Sequence, residues 1–177
     1  MSAAVPRLRM FAGPNGSGKS CWTAGSCLAP WLSISYWASV LADFIRHKLL
    51  GARISFTFET VMSSPDKVAF LRKAQQAGYR AYLYFVATED PDINVARVSY
   101  RVQTGGHPVA EDKIRSRYVR SLELLSQAVM HADRAYIFDN SDSDRLWVAE
   151  VTDGVEIEMK SDEMPAWFKK ALWDKFE

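Results

Sequence analysis

Residues 7–20 read RLRMFAGPNGSGKS: a strand-forming run from Arg7 to Ala12 passes directly into Gly13-Pro14-Asn15-Gly16-Ser17-Gly18-Lys19-Ser20. These eight residues fit G-x-x-x-x-G-K-[ST] in the place that motif requires, after an apolar strand and ahead of a short helix expected over Lys19 to Cys27. The glycines let the backbone wrap until several N–H groups face one anion. Lys19 adds a positive point charge near the terminal phosphates, and Ser20 offers a hydroxyl ligand to Mg2+. A nucleoside triphosphate with magnesium, ATP-Mg2+ in the kinase reading below, is therefore the expected ligand pair. The alternative, a glycine-rich turn that binds nothing, fits the strand-loop-helix context poorly.

Outward from this loop, strand-like and helix-like runs alternate every ~20 to 25 residues, the sequence form of an α/β layered sheet with parallel crossovers. Helix is expected over Ala38 to Leu50, strand over Ile54 to Val61, and helix from a Ser64 N-cap and Pro65 to Ala77. The run RAYLYFVA, Arg80 to Ala87, is apolar enough for a parallel strand covered on both faces. Helix follows over Asp92 to Val102, then a long polar helix from Glu111 to about Met130, then strand over Ala135 to Phe138. Asp153-Gly154 marks a hairpin between Leu146–Val151 and Val155–Met159, and Pro165 to Phe176 reads as a last amphipathic helix. Pro30 and the run Trp31 to Trp37 fit either an edge strand or a helix entrance.

The chain has 177 residues, 48% hydrophobic, 24% charged, with net charge +1. This composition predicts one domain over 1–177, with a lid around 103–120 and a C-terminal hairpin-helix extension over 145–177. No run reaches the ~18 apolar residues of a spanning helix and no leader is evident, so no membrane association and a cytoplasmic location are expected. The near-balance of charge argues against extensive nucleic-acid contact, although the basic helix Lys113 to Arg120 keeps a nucleic-acid-associated NTPase as a minor alternative. Cys21 and Cys27 are too few for a zinc site or a disulfide scaffold. No N-K-x-D string specifies guanine, and the domain is short for a motor ATPase. Phosphoryl transfer to a diffusible acceptor is the favoured class.

Glu59 falls at the C-terminal end of a strand, where open parallel sheets bind ligands. A carboxylate there can orient an acceptor hydroxyl or accept its proton; it can equally be a solvated strand end. Thr57 and Thr60 beside it suit a polar acceptor or simply a β-strand. Arg97 and Arg101 share a helix face, as do Arg117 and Arg120 beyond the Gly105-Gly106-His107 excursion. Guanidinium groups closing over a nucleotide can stabilise the transferring phosphoryl group, and His107 reads as a lid contact with acceptor or phosphate. Asn140, after the last parallel strand, either borders the nucleotide or begins a turn.

Several of these strings together resemble the zeta-toxin-like family of P-loop kinases: SFTFET at 55–60, AGY at 77–79, VARV at 95–98, GGHPVAEDKIRSRY at 105–118, RSL at 120–122 and FDNS at 138–141. The resemblance implies a P-loop NTPase three-layer sandwich with a parallel sheet of the adenylate and shikimate kinase type. It also implies ATP and Mg2+, a nucleotide-sugar acceptor such as UDP-N-acetylglucosamine, and an antitoxin-like partner. Lys19 and Ser20 match the cradle, Glu59 the strand-end acid, and Arg97 with the arginines after His107 the region handling the terminal phosphate. The family pattern carries a further strand after the cradle helix, ending in an Asn-x-Asp-like string whose aspartate activates the acceptor. Trp22 to Trp37 holds no acidic residue, and Asp43, the first aspartate, lies inside a predicted helix. The chain is thus shortened between the loop and SFTFET. That shortening predicts clear ATP binding with weak transfer, the alternative being a nucleotide-binding relative without kinase activity.

Overall fold

The computed structural model describes residues 4–19 and 36–176. The helix expected over Lys19 to Cys27, beyond Lys19 itself, the run 31–35 and the proposed metal ligand Ser20 lie outside these residues. Six strands form one sheet: β1 (Arg7–Ala12), β2 (Phe56–Thr60), β3 (Arg80–Ala87), β4 (Arg134–Asp139), β5 (Leu146–Thr152) and β6 (Glu156–Met159). The order β2-β1-β3-β4-β5-β6 has parallel pairs through β4 and antiparallel pairs beyond it. Helices α1 (Tyr36–Gly51), α2 (Pro65–Gln76), α3 (Pro91–Gln103), α4 (Glu111–Glu123) and α5 (Leu125–Val129) make the parallel crossovers, and α6 (Ala166–Ala171) closes the chain. No helix among the described residues is long and apolar enough to cross a membrane.

Strand alternation sorts the two faces of the sheet. Leu8, Met10, Leu83, Phe85 and Ile137 are fully buried against Phe70 and Leu71 of α2, Leu125 of α5, and Phe168 of α6. Each such side chain contributes ~1.5 to 3 kcal/mol of burial free energy. The opposite face carries Arg9, Phe11, Tyr84 and Tyr136; Phe11 stacks on Tyr84 at 4.7 Å, and Tyr84 on Tyr136 at 4.9 Å. Because β2 and β3 flank β1 on opposite sides, the chain leaves β1 at the point where strand order reverses, the place ligands occupy in open α/β sheets.

Four local expectations are corrected. The long polar helix breaks at Leu124: Ile114, Tyr118 and Ser121 of α4 are buried on one line, while Leu125, Ala128 and Val129 must turn into the core. Ser64 occupies the N-cap position of α2 ahead of Pro65 as expected, but its hydroxyl donates to the Asp66 carboxylate instead of accepting a backbone N–H. The last helix stops at Ala171, and a 3-10 turn over Trp173–Lys175 follows Leu172, which leaves helical geometry at φ −131° and ψ −57° and whose side chain is buried. Ile54 and Val155 lie outside their strands.

The hairpin expectation holds. Asp153 and Gly154 have φ of 52° and 70°, both left-handed as a type I′ turn requires. A Cβ on Gly154 would lie 2.7 Å from the Cα of Met130, so both backbone angle and space demand glycine. Gly154→Ala is expected to cost about 2 kcal/mol in urea unfolding, against less than ~0.5 kcal/mol for Asp153→Asn, which tolerates the same φ.

Candidate active site

Five carbonyls of the loop after β1, those of Gly13, Pro14, Asn15, Ser17 and Gly18, are taken by side chains of the protein. Asn94 Nδ2 donates to Asn15 O at 2.7 Å, Asn140 Nδ2 to Ser17 O at 2.9 Å, and Arg145 Nη2 to Gly18 O at 3.1 Å. Lys19 Nζ takes Gly13 O at 2.8 Å and Pro14 O at 2.7 Å. With these acceptors occupied by the protein, the groups left for a ligand are N–H donors. Gly13, Gly16 and Gly18 all have positive φ, and a Cβ at Gly13 would fall 2.0 Å from Val86 O. The loop is thereby pressed onto β3. Ser17 Oγ is buried with no hydrogen-bond partner among the described residues. A phosphate chain fits this donor-rich cradle.

A cavity of about 560 Å3 opens over the loop, walled by Gly16, Lys19, Glu59, Thr60, Arg97 and Arg101. A second, of about 600 Å3, lies beside it and shares Glu59, Thr60 and Val61; its other wall includes Asp43, Arg46, Lys67 and Arg117. Glu59 is therefore common to both chambers. Thr60 Oγ1 accepts the N–H of Met62 at 3.1 Å, fixing a turn in which fully buried Met62 takes a left-handed φ of 54°. A left-handed backbone on a bulky residue costs ~1 kcal/mol or more, and here it holds the turn that floors the second chamber.

The expected residues separate into distinct positions. Arg117 Nη1 reaches Asn15 Oδ1 at 3.4 Å and lines the second chamber. Arg97 borders the cradle but spends its guanidinium on carbonyls after β4, Nη1 to Asn140 O at 2.5 Å and Nη2 to Ser141 O at 3.1 Å. Asn140 faces the loop's backbone through its side-chain amide. Arg120 is exposed and donates to Ser116 O of its own helix at 3.2 Å, outside both chambers. Thr57 and the His107 ring are exposed and line neither chamber. Among the described residues no His, Cys, Asp and Glu group could hold a metal by itself.

Sequence reasoning passed over Asn94, Arg46 and Lys67, set Asp43 aside as a helix-interior residue, and grouped Arg101 with Arg97 without choosing between them. Arg101 Nη2 donates to His107 O at 3.1 Å, joining the 104–110 excursion to the cradle wall. A Cβ on Gly106 would meet Arg101 Cγ at 2.7 Å, so the glycine allows that contact. Asp43 bonds Arg46 Nη2 at 2.9 Å and lies 3.6 Å from Lys67 Nζ. The Arg46 hydrogen bond, opposed by burial and helped by the Lys67 charge, keeps its carboxyl below the ordinary aspartate range. A helix-interior aspartate carries no sequence signal for this placement, which arises only when α1 packs beside α2.

Burial pushes the Lys19 ammonium down to about 8; Glu59 opposes the shift and Arg101 adds to it. Its folded value lies below its unfolded one, so the charged lysine penalises folding at neutral pH and the penalty fades as pH rises from about 8 toward 10.5. Measured against Lys19→Met, the ligand-free wild type should therefore gain stability as pH rises from 8 to 10 in paired urea titrations. A difference independent of pH would place the effect elsewhere.

Comparisons with known proteins agree with this architecture. A family model described as zeta toxin matches residues 35–152. A Haemophilus influenzae protein described as uncharacterized is 31% identical over 72 residues, 41% of this chain and 51% of that protein, so the chain spans about half the length of this curated relative. The crystal structure of AvrRxo1-ORF1:-ORF2 with ATP superposes with a TM-score of 0.64 at 17% identity, covering 89% of this chain and 61% of that one. The PezAT chromosomal toxin-antitoxin system of Streptococcus pneumoniae gives 0.54 at 16% identity, over 83% and 72% of the two chains. At these identities the superpositions establish the fold, a six-stranded α/β sheet with a P-loop. The match over 35–152, most of the chain, establishes the kinship: this chain belongs to the zeta toxin family.

Proposed function

We propose that the protein is an ATP-dependent kinase that transfers a phosphoryl group to a hydroxyl in the second chamber. The observation carrying this reading is the shared wall: Glu59 borders both the anion cradle and the adjoining cavity. A neighbouring structure is described as an ATP complex, which supports ATP as donor. Loop N–H groups, Ser17 and Lys19 would hold its phosphates, and Lys19 would leave the Gly13 and Pro14 carbonyls to do so. Magnesium, held by Ser20 and the phosphates, would neutralise charge developing on the transferred group.

In this mechanism Glu59 orients the acceptor hydroxyl and takes its proton as the acceptor oxygen bonds to the γ-phosphorus and the bond to the β-phosphate oxygen breaks. Arg117 and Arg101 stabilise the equatorial oxygens, and Arg97 positions the loop after β4 so that Asn140 keeps Ser17 O turned away. Residues 103–120 form a lid on a single domain over 1–177, carrying His107 and Arg120 toward the ligands on closure, with Thr57 beside the entrance. In the acceptor chamber Arg46 and Lys67 are paired with Asp43 and Asp66, which suits a sugar hydroxyl cluster; UDP-N-acetylglucosamine is the acceptor to try first. AvrRxo1-ORF1 is seen with ORF2, and PezAT is a toxin-antitoxin system, so an antitoxin-like protein is the proposed partner. A second reading, nucleotide binding without transfer, is favoured by the absence of acidic residues over Trp22 to Trp37.

Calorimetry and steady-state transfer separate the two readings. Lys19→Ala should weaken ATP-Mg2+ at least about tenfold, roughly 1.4 kcal/mol. Glu59→Gln should leave ATP affinity within about threefold while lowering transfer to UDP-N-acetylglucosamine at least ~100-fold, about 2.7 kcal/mol. ATP binding with no transfer to any sugar would select the second reading. Equal ATP affinity in wild type and Lys19→Ala would remove the cradle from the account.

A further inference from the structure

The pole of the sheet opposite the cradle holds an unexplained concentration of positive charge. Arg7 of β1 stands in register with Arg80 of β3, and Arg9 lies two residues farther along β1, so the three side chains share one sheet face. Together with Ala4, Val5 and Ser55 they line a cavity of about 480 Å3. Ser55 Oγ accepts the N–H of Arg7 at 2.9 Å, and Pro6 O accepts that of Arg80 at 2.9 Å, which locks the two strand ends side by side. No salt bridge joins Arg7, Arg9 or Arg80 to a carboxylate among the described residues. The next cation along this edge is treated differently: Arg134 of β4 pairs with Glu150 of β5. Like charges directly opposite each other in a sheet are destabilising, and neighbouring strands lie only ~4.8 Å apart.

We infer that Arg7, Arg9 and Arg80 form a second anion site that takes a compact, multiply charged phosphate group, such as an inorganic or nucleotide pyrophosphate. Charge spacing selects this class. Arg7, Arg9 and Arg80, rooted on adjacent strands, border one concave volume, with Arg9 also hydrogen-bonded to Tyr84, whereas acidic residues on one face of an extended peptide recur only every ~6.8 Å. Planar guanidinium forks match phosphate oxygens in pairs, which three lysines would not do. The site lies at the N-terminal ends of β1 and β3, while the cradle lies beyond their C-terminal ends. It does not depend on the kinase reading.

Titration of the full chain with inorganic pyrophosphate tests the inference by calorimetry and by backbone amide NMR. Wild type should bind at two places, with one set of shifts around Gly16 to Lys19 and a separate set around Arg7, Ser55 and Arg80. Lys19→Ala should abolish the first set alone. Arg7→Gln with Arg80→Gln should weaken the second at least tenfold and leave the first unchanged, and Arg80→Lys should restore part of it. The second affinity should also fall with added salt. ADP in place of pyrophosphate distinguishes a nucleotide source from a free one, through extra shifts beyond the arginines. A single binding event lost in Lys19→Ala, or wild-type amide shifts confined to the cradle, would overturn the inference. So would binding of an oligonucleotide or acidic peptide at this pole without binding of pyrophosphate. The wild-type NMR arm decides the matter if the double variant does not fold.

Discussion

Capture of loop carbonyls by side chains from other elements is the interaction on which the site depends. A glycine-rich loop left to itself presents C=O and N–H groups in comparable number, and an anion meets repulsion as often as attraction. Asn94 from α3, Asn140 after β4 and Arg145 ahead of β5 each take one carbonyl. What remains facing outward is predominantly donor. The cost falls on glycine: a Cβ on Gly16 would sit 2.7 Å from Asn94 O, and one on Gly18 would sit 2.3 Å from Asn140 Nδ2. Polarity at the cradle and close packing behind it are one constraint seen from two sides.

The same constraint extends to the neighbouring elements. Asn94 is fully buried, and its side-chain oxygen receives the Thr88 hydroxyl at the start of the β3–α3 connection. Tyr118 of α4 donates to Thr88 O at 2.7 Å, and burial together with Glu89, Asp90 and Asp139 holds its phenol strongly toward the neutral, donating form. Asp139, at the end of β4, accepts Trp167 Nε1 of α6 at 2.5 Å and the Ser141 N–H at 2.8 Å. Helices α3, α4 and α6 are thus tied by buried polar contacts to the segments that support the loop. Buried polar groups satisfied in this way specify one arrangement where apolar packing would tolerate several.

The phosphate loop, the parallel strands and the Asp153-Gly154 turn were legible because each rests on local chemistry: positive-φ glycines, an apolar run, a two-residue turn. Side-chain roles were legible only where one position has one use. Arg97 and Arg101 lie four apart on one helix face and read as equivalent, yet Arg97 is drawn to the carbonyls of 140–142 and Arg101 to the carbonyl of His107. Sequence spacing cannot say which acceptor another strand end will deliver. Asp43 was opaque for the same reason. Arg46 lies on its own helix, but the company of Lys67 and the Glu59 wall comes from α1 and α2 meeting, with Asp43 and Lys67 standing 24 positions apart in the chain. The break at Leu124 escaped notice because an amphipathic pattern specifies which face is buried and not where that face must change direction.

The bonds that shape the cradle join residues far apart in the chain: Asn140 to Ser17 spans 123 positions and Arg145 to Gly18 spans 127. Synthesis at ~5–20 residues per second therefore separates the appearance of the loop from that of its last supports by on the order of ten seconds. Until Asn140 and Arg145 have emerged, the Ser17 and Gly18 carbonyls respectively lack the side chains that take them. A nascent chain carries the motif without a finished anion cradle, and the last side chain of the cradle arrives only after all four parallel strands. The order of translation thus delays ligand competence until the fold that governs it is in place.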